Sequence, residues 1–373
     1  MKIGILTQPL GVNYGGMLQN WALQEVLKQM GHTPITIQLR GIPKWKTDYY
    51  RCCAVLRFYL KKLIFHPTRN IEIRYSRLSA KYRDMRKFVK RRITTTKPLF
   101  GISLKKLRPY GVDVCIVGSD QVWRPKYNKH NFGAMFGDFL GVGSDVRCIS
   151  YAASFGVDEW ELSPRWTAIA RICISGFSAV SVRERSGVEL CRQYLGVEAQ
   201  HVLDPTLLLK SESYAGLLSE TEIRKLPKEP FVAVYILDSS EDKKRIVEQL
   251  SRKLRLITYN IAETDSVSDL LPSTELWVAA IHRAAFVITD SFHGTAFSIN
   301  FHKPFVVLGN EARGNGRFMS LLGMVGLVNR YISDATSESA YDIAVEKINW
   351  DEVEYVLNDN RKKSLGFLKD ALQ

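Results

Sequence analysis

One repeated pattern restricts the fold of this chain more than any other: short β-branched apolar runs that end abruptly in glycine or polar residues and give way to helical periodicity. Residues 1–6 are the first run, followed by the turn-rich Gly11-Val12-Asn13-Tyr14-Gly15-Gly16. Leu23, Val26, Leu27 and Met30 then share one helical face closed by Gly31, and Ile35, Ile37 and Leu39 alternate with Thr36 and Gln38 as a second strand. A β-α-β unit of this kind predicts a doubly wound α/β domain. Its glycines do not follow the G-x-G-x-x-G spacing, so no dinucleotide is expected; they serve either a tight turn or ligand contact.

The pattern returns. Residues 112–117 run into Gly118-Ser119-Asp120-Gln121-Val122-Trp123, residues 147–151 into Ala152-Ala153-Ser154-Phe155-Gly156, and residues 179–182 into Arg183-Glu184-Arg185-Ser186. Ligands collect beyond the carboxyl ends of strands in open α/β sheets, which makes Asp120 a candidate base; the alternative is a turn or helix cap. Arg183 and Arg185 suit bidentate binding of carboxylate or phosphate, or else pairing with nearby glutamates. Asp204-Pro205-Thr206 marks the end of a first domain, 1–205. A second domain, 206–349, is expected from strand 231–237, helix 241–254, strand 256–259, helix 276–284, strand 286–289 and strand 304–308. Residues 350–373 read as a charged helix packing back on the first domain. A length of 373 residues is enough for two cores.

The chemistry concentrates at Thr289-Asp290-Ser291-Phe292-His293-Gly294-Thr295, a strand-to-helix crossing. Unpaired backbone N–H groups and the aligned peptide dipoles at a helix start favour an anion there. His293 would stand beside that anion, with an unperturbed pKa near neutrality suited to proton transfer. A lone histidine is more often structural, and its position at the helix start is what argues for the site. Farther on, Asn310-Glu311-Ala312-Arg313-Gly314-Asn315-Gly316-Arg317 is either a loop that closes over a charged ligand or an ordinary connection.

Composition narrows the class. Hydrophobic content of 46% and charged content of 24% are those of an ordinary soluble protein, with no apolar run of the ~18 residues that cross a bilayer. Residues 1–7 read as a first strand without a signal peptide, placing the chain in the cytosol. Six scattered cysteines, none at zinc spacing, read as reduced thiols, so neither a metal site nor disulfides are expected. The net charge of +14 is concentrated in residues 51–108. There Leu56, Tyr59, Leu60 and Leu63 oppose Arg57 and Lys61, while Tyr82, Met85 and Val89 oppose Arg83, Arg86, Lys87, Lys90 and Arg91. Two basic amphipathic helices result, which either lie on an anionic membrane surface or present a solvated face. No nucleic-acid-binding signature accompanies the charge.

Taken in order, Asn13-Tyr14-Gly15-Gly16 with Leu18-Gln19, Gly118-Ser119-Asp120-Gln121-Val122-Trp123, Tyr151-Ala152-Ala153-Ser154-Phe155-Gly156, Ser181-Val182-Arg183-Glu184, Asp204-Pro205-Thr206-Leu207-Leu208 and Asp290-Ser291-Phe292-His293-Gly294-Thr295 resemble the polysaccharide pyruvyl transferase family. The resemblance implies an α/β fold of two Rossmann-like domains facing a cleft, as in GT-B glycosyltransferases, with the basic helical insertion in the first. It implies phosphoenolpyruvate as donor, its pyruvyl group becoming a cyclic ketal on two hydroxyls of a sugar in a capsule or exopolysaccharide, or in its lipid-linked precursor. His293 becomes the acid/base and Arg183 a donor ligand, with Ser291, Phe292 and Gly294 beside the donor and Asp120 as base or acceptor-hydroxyl ligand. Asn13, Tyr14, Gly15, Gln19, Ser119, Gln121, Trp123 and Ser154 are assigned to the acceptor. Several members carry Arg-Leu-His where this chain has Ser291-Phe292-His293, so the missing arginine is replaced by Arg317, Arg313 or Arg185. The donor is a substrate, and no cofactor is required. Whether a divalent ion assists, which sugar accepts, and the oligomeric state stay open. Two other functions fit the same features: a nucleotide-sugar glycosyltransferase of this two-domain plan, and a non-enzymatic membrane-surface scaffold of polysaccharide assembly.

Overall fold

The computed structural model describes residues 1–40, 81–128, 131–141, 144–261, 270–309, 314–333 and 337–373. The β-branched runs of the first half become β1 (Lys2–Leu6), β2 (Thr33–Thr36), β5 (Val114–Val117) and β6 (Arg147–Ser150), joined as a parallel sheet in the order β2-β1-β5-β6. Between β1 and β2 runs α1 (Tyr14–Gln29). Short strands β3 (Leu39–Arg40) and β4 (Leu99–Phe100) pair beside this sheet. Helix α2 (Arg83–Arg92) lies between those two in sequence. Next come α3 (Pro164–Ile174), β7 (Ser181–Val182), α4 (Arg185–Leu190), β8 (Gln200–His201) and α5 (Pro205–Leu208). The run expected at 179–182 is shorter as a strand, but bridges Ile149↔Ala179 and Ala153↔Val182 attach it to the sheet.

The second half repeats the plan with β9 (Phe231–Tyr235), α6 (Glu241–Leu254), β10 (Ile257–Asn260), α7 (Thr274–Arg283), β11 (Phe286–Thr289), α8 (Phe292–Asn300), β12 (Phe305–Leu308), α9 (Gly316–Met324), β13 (Tyr331–Ile332), α10 (Ser337–Val345) and α11 (Trp350–Leu372). Its parallel sheet has the order β10-β9-β11-β12-β13. Strands β9, β11 and β12 are buried at every position, which is why they read as continuous apolar runs rather than alternating ones. Thus the molecule consists of two Rossmann-like units.

Packing joins them. Tyr14, at the first turn of α1, stacks on Trp277 of α7 at 5.6 Å and donates its hydroxyl to the Pro272 carbonyl at 2.7 Å. A buried aromatic pair of this kind contributes about 1 kcal/mol beyond its burial, and it fixes the start of α1 against the other half. Helix α11 also touches both units: Arg361 donates to the carbonyl of Leu207 at 2.8 Å and to Asn300 at 3.1 Å, and Arg147 donates to the carbonyl of Leu372 at 3.3 Å.

Of the two basic helices expected in the insertion, the first falls outside the described residues. The second is α2. It buries Met85, Phe88 and Val89 and leaves Arg83, Arg86, Lys87 and Lys90 exposed, while Arg91 pairs with Glu275 of α7 at 2.9 Å. The helix is therefore also a strut between the two units. Among the described residues no helix is long and apolar enough to cross a membrane.

Candidate active site

Each sheet places a crevice where its strand order reverses. In the first, the chain leaves β1 toward β2 on one side and toward β5 on the other; in the second, β9 has β10 on one side and β11 on the other. Beyond the carboxyl ends of these central strands stand Thr7, Ser119 and Asp120 at the first crevice and Ser291 to His293 at the second, all buried, while Asp290 accepts from the Leu237 and Asp238 N–H groups and from Lys243. The two crevices meet. The His293 ring lies directly on the first turn of α1, where a Cβ on Gly15 would stand 1.9 Å from Nδ1, so only glycine admits this approach.

Asp204 is the hub. Its Oδ2 accepts Arg183 Nη1 at 2.9 Å and Ser119 Oγ at 2.9 Å, and lies 3.7 Å from His293 Nε2, beyond hydrogen-bonding distance. Its Oδ1 caps α5, accepting the backbone N–H of Thr206 at 3.0 Å and its hydroxyl at 2.7 Å. Arg183 is also 3.6 Å from Asp120, and its guanidinium lies over the Phe292 ring at 4.3 Å. Arg317, at the start of α9, lies over the same ring at 5.9 Å. Glu184 turns the other way, its Oε1 accepting the N–H groups of Phe155 at 2.7 Å and Gly156 at 3.0 Å.

Burial makes these charges interdependent. Desolvation opposes the charge of Asp204, yet His293, Arg183 and the Thr206 N–H hold its carboxyl well below the usual carboxylate range. Arg183 is likewise desolvated, but Asp204, Asp120 and Glu184 raise its pKa. Burial pushes Glu184 up. Arg317 goes the other way, down to about 10, through burial and the neighbouring Arg183. The backbone is strained here as well: Asp120, just past β5, has φ 76, and Ala152, just past β6, has φ 52. Left-handed conformations are costly for residues with a Cβ and cluster at functional sites.

Three buried donor atoms in this cluster, Arg183 Nε, Arg183 Nη2 and His293 Nε2, have no hydrogen-bond partner among the described residues. Native structures rarely leave such atoms unpaired, and in a cleft they mark the place of a ligand's oxygens.

The residues expected at the site divide accordingly. His293, Arg183, Asp120, Phe292, Arg317 and Gly15 come together, and Ser119 joins them through Asp204. Arg185 does not: its side chain is exposed and its N–H donates to Ser320 Oγ at 3.0 Å. Arg313 lies outside the described residues. Trp123 is core rather than acceptor ligand, fully buried, stacked on Phe136 at 5.4 Å and bonded to the Met135 carbonyl. Tyr14 is occupied by Trp277 and Pro272, as described above. Gln19 is buried, donating to Thr7 and the Gly16 carbonyl, and Gln121 accepts from Arg124. Asn13 is the N-cap of α1, accepting from Gly16 at 3.3 Å, so Gly15 and Gly16 belong to a helix rather than to the expected loop. Ser154 is fully buried behind Glu184. Nor is the start of α8 bare, because Ser291 Oγ accepts the Gly294 N–H at 3.4 Å. Gly294 itself is required by packing, a Cβ there standing 2.3 Å from Thr289 Oγ1. Asp204 and Glu184 stand in the motifs that carry the resemblance but were given no role in the site, Asp204 being read as a domain end; an acidic residue just past the short strand β8 was the available signal for Asp204.

Facing Rossmann-like units with a site in the crevice between them define a GT-B-like protein. Solved structures agree in fold: UDP-GlcNAc 2-epimerase from Methanocaldococcus jannaschii has a TM-score of 0.54 at 10% identity, covering 94% of this chain and 93% of its own. A glycosyltransferase from Rickettsia africae gives 0.54 at 11%, covering 100% and 98%. UDP-GlcNAc 2-epimerase from Neisseria meningitidis, bound to UDP-GlcNAc, gives 0.54 at 9%, covering 100% and 99%. None of the curated proteins matches the chain in sequence. The chain belongs to the polysaccharide pyruvyl transferase family, whose sequence model matches residues 13–312.

Proposed function

We propose that this protein transfers the pyruvyl group of phosphoenolpyruvate to two hydroxyls of a glycan sugar, forming a cyclic ketal and releasing phosphate. The observation that carries the reading is the set of nitrogen atoms on Arg183 and His293 that have carboxylates nearby but no hydrogen-bond partner among the described residues, beside a second arginine. A small donor with both a phosphate and a carboxylate supplies the oxygens such donors lack.

In this reading Arg183 is held ready by Asp204 and Asp120, and Arg317 takes the place of the arginine absent before Phe292. Protonation of the donor's methylene carbon lets the first sugar hydroxyl add to its C2, giving up its proton to the base that restores the acid. The C–O bond to phosphate then breaks, and the second hydroxyl closes the ketal, its proton leaving with the phosphate. His293 serves as acid/base beside the leaving phosphate and Asp120 as base toward an acceptor hydroxyl. His293 is 6% exposed and Arg183 4% exposed, so donor entry requires the two units to part. The acceptor is a sugar of a surface polysaccharide or of its lipid-linked precursor.

The test is phosphate release from phosphoenolpyruvate together with a mass gain on candidate galactose- or mannose-type acceptors, with ligand-induced changes in melting temperature measured alongside. Phosphoenolpyruvate should raise the melting temperature. Stabilisation by UDP-sugars instead, with no phosphate release, would replace this reading with the glycosyltransferase one.

A further inference from the structure

The second unit carries another cavity, at the pole opposite the crevice. It has a volume of about 820 Å³ and opens between the segment leading into β9, the carboxyl end of α7 and the turn after α8. Arg224, Lys228, His282, Arg283 and Lys303 line it, against the single carboxylate of Glu229.

The simple explanation for bases here is that two helices end nearby, and cations meet the partial negative charge of helix carboxyl ends. Magnitudes argue against that as the whole account. Each helix end supplies about half a negative charge. Arg224 already pairs with Glu220 at 3.0 Å, and Glu229 can be counted against Lys228, yet Arg283 and Lys303 remain, with His282 beside them. These groups repel one another: burial and Arg283 lower the Lys303 pKa, and burial, Lys303 and Arg283 lower that of His282. His282 is also held in place, its ring edge-on to Phe301 at 5.1 Å, and its buried Nδ1 has no hydrogen-bond partner among the described residues.

We propose that this cavity binds a phosphate-bearing anion, held by Arg283, Lys303 and His282. Nothing in the pyruvyl transfer reaction uses it, since α8 separates it from the cluster: that helix begins at Phe292-His293 and ends three residues before Lys303. The phosphate can belong to a soluble compound or to a lipid headgroup, because the same three groups would grip either.

The full chain is titrated calorimetrically with inorganic pyrophosphate and, separately, pelleted with phosphatidylglycerol and with phosphatidylcholine vesicles. Arg283→Gln/Lys303→Gln should weaken binding at least about tenfold, as expected for removing two charge-assisted contacts, while leaving the fold and its circular dichroism unchanged. Arg317→Gln should leave it unaltered, which separates this cavity from the crevice. Saturable pyrophosphate binding with that mutational pattern establishes a soluble ligand. Selective pelleting with phosphatidylglycerol, lost in the double variant and without pyrophosphate binding, establishes a headgroup. The proposal is overturned if neither probe binds, if the double variant binds as the parent does, or if Arg317→Gln abolishes the binding.

Discussion

The crevice between the units and the far pole of the second unit both gather cations, but in opposite states. Toward the crevice, Arg183 is surrounded by Asp204, Asp120 and Glu184 and its pKa rises; at the far pole, Lys303 and His282 face other cations and their pKa values fall. The difference is one of preparation. Buried carboxylates fix the guanidinium of Arg183 before any ligand arrives, whereas the far cations are fixed mainly by where their helices end. Arg317 stands between the two cases. It is in the crevice, but burial and the neighbouring Arg183 lower its pKa to about 10.

The most severe way to break the contrast is to remove the hub. Asp204→Ala leaves Arg183 buried beside fewer carboxylates and should destabilise the fold by about 3 to 5 kcal/mol in urea titrations, with activity lost. His293→Ala keeps the fold and should lower the rate of phosphate release about 10²- to 10⁴-fold. If the rate is unchanged, the acid/base assignment fails. Gly15→Ala pushes a methyl group into the buried histidine ring, so a drop of about 10²-fold in kcat is expected together with a loss of about 1 to 3 kcal/mol of stability, read in urea titrations.

Acid should also discriminate between the poles. The Asp204 carboxyl has a depressed pKa in the folded state, so its contribution to stability is present above the unfolded value of about 4 and is lost as pH falls toward the folded value. Asp204→Asn should flatten that acid limb in denaturation curves taken between neutral and acid pH. Phe292→Leu removes the ring under both guanidinium groups and should cost about 1 kcal/mol or more of donor binding, read as a raised KM for phosphoenolpyruvate. The smallest effect belongs to the far pole: Lys303→Gln relieves repulsion and should change stability by no more than about 0.5 kcal/mol.

Much of this plan was readable in residue order. The buried runs at 231–235 and 286–289, each followed by helical periodicity, announced parallel strands because the period of apolar residues changes where strand gives way to helix. The crossing at 289–295 was equally visible, and so were its histidine and the strand-end arginine Arg183. The less visible features all depended on contacts between distant segments. Trp123 and Tyr14 sit in motifs with the look of ligand-binding turns, yet their rings fill the core, and sequence alone does not tell a buried aromatic from an exposed one. The choice among Arg317, Arg313 and Arg185 was likewise undecided along the chain, and packing sets Arg185 aside because its side chain is exposed.

Local periodicity and turn chemistry, which act over a few residues, were thus enough to establish two α/β units, their crevices and the histidine between them. Packing settled the rest. It set Asp204 between Arg183 and His293, brought Gly15 under the imidazole, gathered two guanidinium groups on Phe292 and left Arg283 and Lys303 together at the far pole. Those pairings are set by the low-dielectric interior, where each buried charge is governed by neighbours that lie tens to hundreds of residues away in the chain.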